Sequence, residues 1–219
     1  MTDTRKRILD TAREAFNRDG LGRVGVRDVA RATEMSPGNL AYHFPTKDQL
    51  VTALVAELHE LNRATVFVEP MESFTLESLY RAATGAMRNM LAYRFVLLDY
   101  VEAIRSSEDI AKEEVRLARI RRERHDKMLA ALVENGFVER ATLARGDVLY
   151  EQSSMISSGW LAAAAVRGWS DERAVRHYAK LGCALLEPHC TDKGARQMKR
   201  ILAGDLDSAP RETPRTRKR

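Results

Sequence analysis

Val26–Lys47 reads V-R-D-V-A-R-A-T-E-M-S-P-G-N-L-A-Y-H-F-P-T-K, and the spacing within it decides the fold. Val26, Val29 and Ala30 recur at helical intervals, which predicts a short amphipathic helix over Val26–Thr33. Thr33-Glu34-Met35 interrupts it. Ser36-Pro37 then opens a second helix, with a hydroxyl to cap free amides and a proline at the first helical position, where its missing N–H is harmless. That helix runs from Pro37 to about Phe44 and buries Leu40 and Phe44 on one face. Gly38 and Asn39 at its start, and Tyr42 and His43 on one flank, are left free. Pro45 ends it, and Thr46 caps a longer helix beginning at Lys47. Two short helices across a tight turn form a helix-turn-helix pattern.

Upstream, Thr4–Asp19 places Ile8, Ala12, Ala15 and Phe16 on one helical face. Gly20 follows as the left-handed stop that glycine adopts at least cost. Leu21 and Val24 complete a small core with Phe16, Val29 and Phe44. Arg5 and Arg7 lie near the end where DNA would approach, and serve either phosphate binding or a solvated basic turn.

N-L-A-Y-H-F-P-T-K-D-Q-L, preceded by T-R-K-R-I-L-D-T-A-R-E-A-F-x-x-x-G, resembles the DNA-binding domain of the TetR family of bacterial repressors over roughly residues 4–54. The resemblance implies a ligand-responsive transcriptional regulator, a repressor by the habit of the family, acting as a homodimer on a palindromic double-stranded DNA operator. On it, Arg27, Ser36, Pro37, Gly38, Asn39, Tyr42, His43 and Lys47 are the candidate DNA-binding residues. Tyr42, His43 and Lys47 suit phosphate oxygens. Pro37, Gly38 and Asn39 are placed for base edges, Asn39 above all, because a carboxamide pairs bidentately with adenine. Three positions depart from the family pattern. Glu34 stands where Gly or Asn is usual because the turn takes a positive φ, at a cost of about 1 kcal/mol or more. Ala41 replaces a common tyrosine, and Gly25 replaces a capping Ser or Thr.

The rest of the chain reads as all-α: an N-terminal three-helix helix-turn-helix domain with its connecting helix over residues 1–64, and a C-terminal helical bundle for ligand binding and dimerisation over 65–204. Residues 205–219, rich in Pro, Arg and Ser, are expected to be a disordered basic tail, either touching DNA or inert. The connecting helix carries a stripe of Leu50, Leu54, Leu58 and Leu61, and Glu69-Pro70-Met71 marks the boundary. Helices are predicted over Ser73–Leu91, capped by Ser73 or Thr75, and over Glu108–Asn135, Thr142–Arg167, Asp171–Leu186 and Lys193–Leu202, with a second apolar segment from Tyr93 to Ser106 that reads as hydrophobic almost all round and therefore central. Met87, Met90, Tyr93, Phe95, Tyr150, Met155 and Trp160 are candidates to line an effector cavity, methionine being adaptable and aromatics supplying area; plain core packing is the alternative. The arginines of Glu108–Asn135 interleave with acids and read as a solvated face. The small and apolar faces of Thr142–Arg167 and Asp171–Leu186 suit half of a four-helix dimer interface.

With 44% hydrophobic and 31% charged residues the composition is that of an ordinary soluble chain. No apolar run approaches the ~18 residues of a membrane span, and the charged N-terminus excludes a signal peptide, so a cytoplasmic location is expected. A net charge of +5 permits nucleic-acid binding without requiring it. Cys183 and Cys190 are expected as reduced thiols, with a disulfide as the alternative. They and His177 and His189 lack metal-ligand spacing, so no metal or cofactor is expected. G-x-S-x-G, H-E-x-x-H and phosphate-loop motifs are absent, which argues against an enzyme. A protein-binding helical module is the remaining alternative, disfavoured by the Tyr42-His43 and Lys47 group.

Overall fold

The computed structural model describes residues 3–66 and 70–206. The head consists of α1 (Asp3–Asp19), α2 (Val26–Ala32) and α3 (Pro37–His43), and α4 (Lys47–Val66) leads out of it. The body follows as α5 (Leu76–Leu91), α6 (Phe95–Leu98), α7 (Tyr100–Ser106), α8 (Glu108–Glu134), α9 (Gly146–Val166), α10 (Asp171–Ala184) and α11 (Asp192–Ala203). Short 3-10 turns occupy Met71–Ser73, Arg140–Arg145 and Glu187–His189. The fold is all-α: among the described residues the sole β-type pairing is an isolated bridge between Val138 and Cys190.

Two apolar clusters hold the chain together. The first joins Ile8, Phe16, Val29, Leu40 and Phe44 of the head to Leu50, Leu54 and Leu58 of α4, and continues into the body through Tyr93, Phe95, Tyr100, Ile110 and Leu117. The second packs α5 against the distal half of α8 and against α9, α10 and α11, around Phe74, Tyr80, Leu132, Trp160, Val175 and Ile201. The head therefore has no private core. Its apolar interior runs on into α6, α7 and the start of α8.

Local chemistry explains most boundaries. Gly20 takes φ +83, the left-handed stop expected of it. Thr46 Oγ1 accepts from Gln49 N at 3.2 Å and caps α4. Several expectations need correction. The helix predicted from Ser73 begins at Leu76, because of the two expected caps it is Thr75 that serves, its hydroxyl accepting from Ser78 N at 3.1 Å. The helix predicted from Thr142 begins at Gly146, since Arg140–Arg145 tighten into 3-10 turns and bury Thr142. Tyr93–Ser106, expected to be central, places Tyr93, Phe95 and Tyr100 in the first cluster but breaks at Asp99 into two short helices, which turn Leu98 and Val101 to solvent. The leucine stripe of α4 stops at Leu58. Leu61 is exposed, and beyond it α4 meets α5 through polar groups, Asn89 Nδ2 donating to Asn62 Oδ1 at 3.0 Å and to Thr65 Oγ1 at 2.9 Å. Glu69 of the expected boundary, and residues 207–219 of the expected tail, lie outside the described residues.

Along α8 the interleaved charges pair as i,i+3 and i,i+4 spacing allows, Arg116 with Glu113, Arg122 with Asp126 and Lys112 with Glu108. Cys183 and Cys190 are both free thiols. Burial pushes the Cys183 thiol up to about 12, which keeps it protonated and unreactive.

Candidate nucleic-acid interface

The turn between α2 and α3 is built by backbone and hydroxyl groups. Thr33, itself buried, returns its hydroxyl to the carbonyls of Val29 and Ala30 at 2.9 and 3.1 Å, and Met35 N closes onto Ala30 O at 2.9 Å. Closing α2 this way forces Glu34 into the left-handed region, φ 56. The strain expected at that position is present, since an L-residue with a side chain crowds its own carbonyl there. Replacing Glu34 with asparagine should stabilise the chain by about 1 kcal/mol. A thermal melt reads this out, and a midpoint that stays put or falls would sink the assignment.

Ser36 caps α3 as expected, its Oγ accepting from Asn39 N at 3.2 Å. Leu40 and Phe44 are buried against the head core, which turns Pro37, Gly38 and Asn39 outward. Tyr42 is 84% exposed, with its ring edge-on to His43 at 5.3 Å. A helix with its first turn and one flank open, anchored only through its apolar face, presents side chains and free amides to whatever docks on it.

At the other end of α3, Arg5 lies 4.2 Å over the Phe44 ring and donates to His43 O at 3.5 Å. That guanidinium holds α3 on α1. Gly25 supplies no capping oxygen to α2, and Asp28 compensates by accepting from Gly25 N at 2.9 Å. Arg27 sits exposed on the first turn of α2. Lys47 differs from the other candidates. Its ammonium donates to the carbonyl of Leu21 and is half-buried, and that burial pulls its pKa below the usual lysine range. It braces the α1–α2 turn, leaving fewer donors for a phosphate. The structure thus brings Ser36, Pro37, Gly38, Asn39, Tyr42 and His43 together on one short helix, with Arg27 on the preceding one.

The candidate effector residues are dispersed. Tyr93 and Phe95 belong to the first cluster: the Phe95 ring lies 5.5 Å from Phe16, and the Tyr93 hydroxyl is 3.4 Å from both Arg13 and Glu57. Met155 is 72% exposed. Tyr150 donates to Ala118 O at 3.2 Å beside His125. Met87 and Trp160 share the second cluster, Met90 touches both clusters, and the buried indole N–H of Trp160 has no hydrogen-bond partner among the described residues. A groove of about 590 Å³ opens instead between the head and α8, among Arg5, Phe44, Thr52, Ala56, Lys112 and Arg116. A cleft of about 220 Å³ lies between Arg122 and Asp147. Neither is lined by any of the effector candidates.

Residues that local patterns do not mark matter at the head–body joint. Asn17 and Asp99 reach across it, yet each reads in the sequence as an ordinary polar position, because only the packing of α1 on α6 gives it a partner.

Comparison with known proteins agrees with this architecture. Residues 8–54 match the family described as bacterial regulatory proteins, tetR family, and residues 59–198 match the TetR family described as bacterial transcriptional repressor. The transcriptional regulator UidR of Escherichia coli K12 is 36% identical over 69 residues, which is 32% of this chain and 35% of UidR, so the match spans about a third of that relative. A TetR-family regulator from Marinobacter aquaeolei VT8 superimposes with a TM-score of 0.80 at 19% identity, over 95% of this chain and 100% of that one. SmeT, the repressor of the Stenotrophomonas maltophilia multidrug efflux pump SmeDEF, does so with a TM-score of 0.65 at 16% identity, over 87% and 92%. These structural likenesses concern the fold. Together with the family matches across head and body, they establish that the chain is a member of the TetR family of bacterial transcriptional regulators.

Proposed function

We propose that the chain is a ligand-responsive repressor that works in the cytoplasm, binds a palindromic operator as a homodimer and is released by a small-molecule effector. The observation that carries this reading is the exposed first turn of α3, Pro37 to Asn39, on a helix whose opposite face is locked into the core. In a dimer, two such helices enter successive major grooves when their centres stand about 34–36 Å apart. Support for the dimer comes from α9, where Val148, Met155, Gly159, Ala162 and Val166 form an exposed strip of small and apolar residues. Such a strip suits a second copy of the same helix. Support for an effector comes from SmeT, which has been solved as a complex with triclosan. In this chain the effector is assigned to the body, where Met87, Met90 and Trp160 belong to or pack against the second apolar cluster.

Arg27, Tyr42 and His43 are assigned to phosphates and Pro37, Gly38 and Asn39 to base edges. The test is a gel shift on the chain's own upstream region and on duplexes selected from a random library, with and without competitor DNA. Asn39→Ala should weaken the selected duplex by about 1–3 kcal/mol and leave competitor binding unchanged. Equal weakening on both, or no weakening at all, overturns the assignment of Asn39.

A further inference from the structure

At the junction of α5 and α6 the carbonyl of Ala92 and the amide of Phe95 bond to a side chain of the head. A single head side chain serves both. Asn17 Nδ2 donates to Ala92 O at 2.9 Å, and Asn17 Oδ1 accepts from Phe95 N at 3.2 Å. A carboxamide offers a donor and an acceptor side by side on one short side chain. Four residues beyond the junction amide the contact is returned in the opposite sense: the carboxylate of Asp99, between α6 and α7, accepts from the amide of Leu21 in the head at 3.2 Å. Gly20 permits this approach, since a Cβ there would sit 3.2 Å from the same Asp99 oxygen. Both backbone groups of Leu21 are then held, its N–H by Asp99 of the body and its carbonyl by Lys47 of α4. Beneath these bonds the Phe16 and Phe95 rings pack at 57° to each other.

We propose that Asn17 and Asp99 are positioning residues that lock the head at one angle on the body, and so set operator affinity without touching DNA. The apolar contact between Phe16 and Phe95 is non-directional and tolerates rotation. The hydrogen bonds of Asn17 and Asp99 do not, because their strength falls steeply with angle. They add a fixed bearing to a greasy joint. Both bind backbone groups of the partner unit, so the lock depends on the path of the chain at the α5–α6 break and at the α1–α2 turn. In a dimer, a head free to swivel still reads a half-site, while the fit of two heads to a full site is lost. This rests on the DNA-binding dimer proposed above.

The test uses the full-length protein in a Cys190→Ser background with one dye at Arg31→Cys, an exposed head position. Time-resolved anisotropy should show the wild-type head tumbling with the body, and Asn17→Ala, Asn17→Asp and Asp99→Ala should each add a fast nanosecond component. Asp99→Asn, which keeps an acceptor oxygen, should restore the slow decay. On DNA selected by the wild type, the same loosened variants should lose about tenfold in affinity for a full palindrome and none for a half-site duplex. Unchanged dye decay overturns the lock, as does equal loss on half-site and full-site DNA, which would indicate damage to the head itself. If the wild type selects no duplex, the DNA reading fails, while the anisotropy arm still decides the joint.

Discussion

Phe16→Ala should destabilise the chain by about 3–5 kcal/mol, the usual result of emptying a large aromatic site in a packed core. Phe16 is 1% exposed and lies where the head core passes into the body, in contact range of Phe95. A loss of that size is comparable with the whole stability of many small domains. Helix-turn-helix geometry, and DNA binding with it, should therefore disappear near physiological temperature. The two tryptophans make the result easy to localise, because Trp160 and Trp169 both belong to the second cluster and none lies in the head. Circular dichroism should report an earlier transition for the head helices, and tryptophan fluorescence a smaller shift for the body. A variant that melts within a degree of wild type would show that Phe16 is not the keystone of the joint.

Gly194→Ala should be at least as damaging to the body. A Cβ at this position would sit 1.9 Å from the backbone carbonyl oxygen of Phe137 and 3.2 Å from Cys190 Cβ, and a carbonyl within a turn has no room to yield. The start of α11 is also pinned in place. Thr191 N donates to Phe137 O at 3.2 Å, the Thr191 hydroxyl to Gly136 O at 2.7 Å and Lys193 to Asn135 O at 2.8 Å. To admit the methyl, α11 must lift off, which uncovers Met198 and Ile201, both now buried. Overpacking of this kind costs about 3 kcal/mol or more. The expected signature is a lowered Trp160-reported melt together with early proteolytic loss of the segment after Asn135. Wild-type resistance to protease would mean that α11 accommodates the methyl by a small shift.

The departures from expectation share one cause. Tyr93 and Phe95 had the composition of a ligand cavity, yet they plug the seam between head and body, because α6 folds back onto α1. Met155 had the hydrophobicity of a core residue and lies on the open face of α9. Helical periodicity states which residues share a face, and is silent about what that face meets. Lys47 shows the same limit for a charge: next to an exposed helix it reads as a phosphate contact, and nothing local marks the bond its ammonium also gives to Leu21 O.

By itself the sequence determined the local structure: the all-α class, the turn at Glu34 with its positive φ, the Ser36 cap and Pro37 start of α3, the Gly20 stop and the Thr46 cap. Each follows from interactions within about one helical turn, where residue type dictates the available backbone and hydrogen-bond geometry. The tertiary structure alone decided which side chains serve the broken helix ends of another unit, where the apolar interior of the head continues, and how the head is held on the body. Those outcomes depend on pairs such as Asn17 with Phe95 and Leu21 with Asp99, distant in the chain and brought together only when α1 packs on α6.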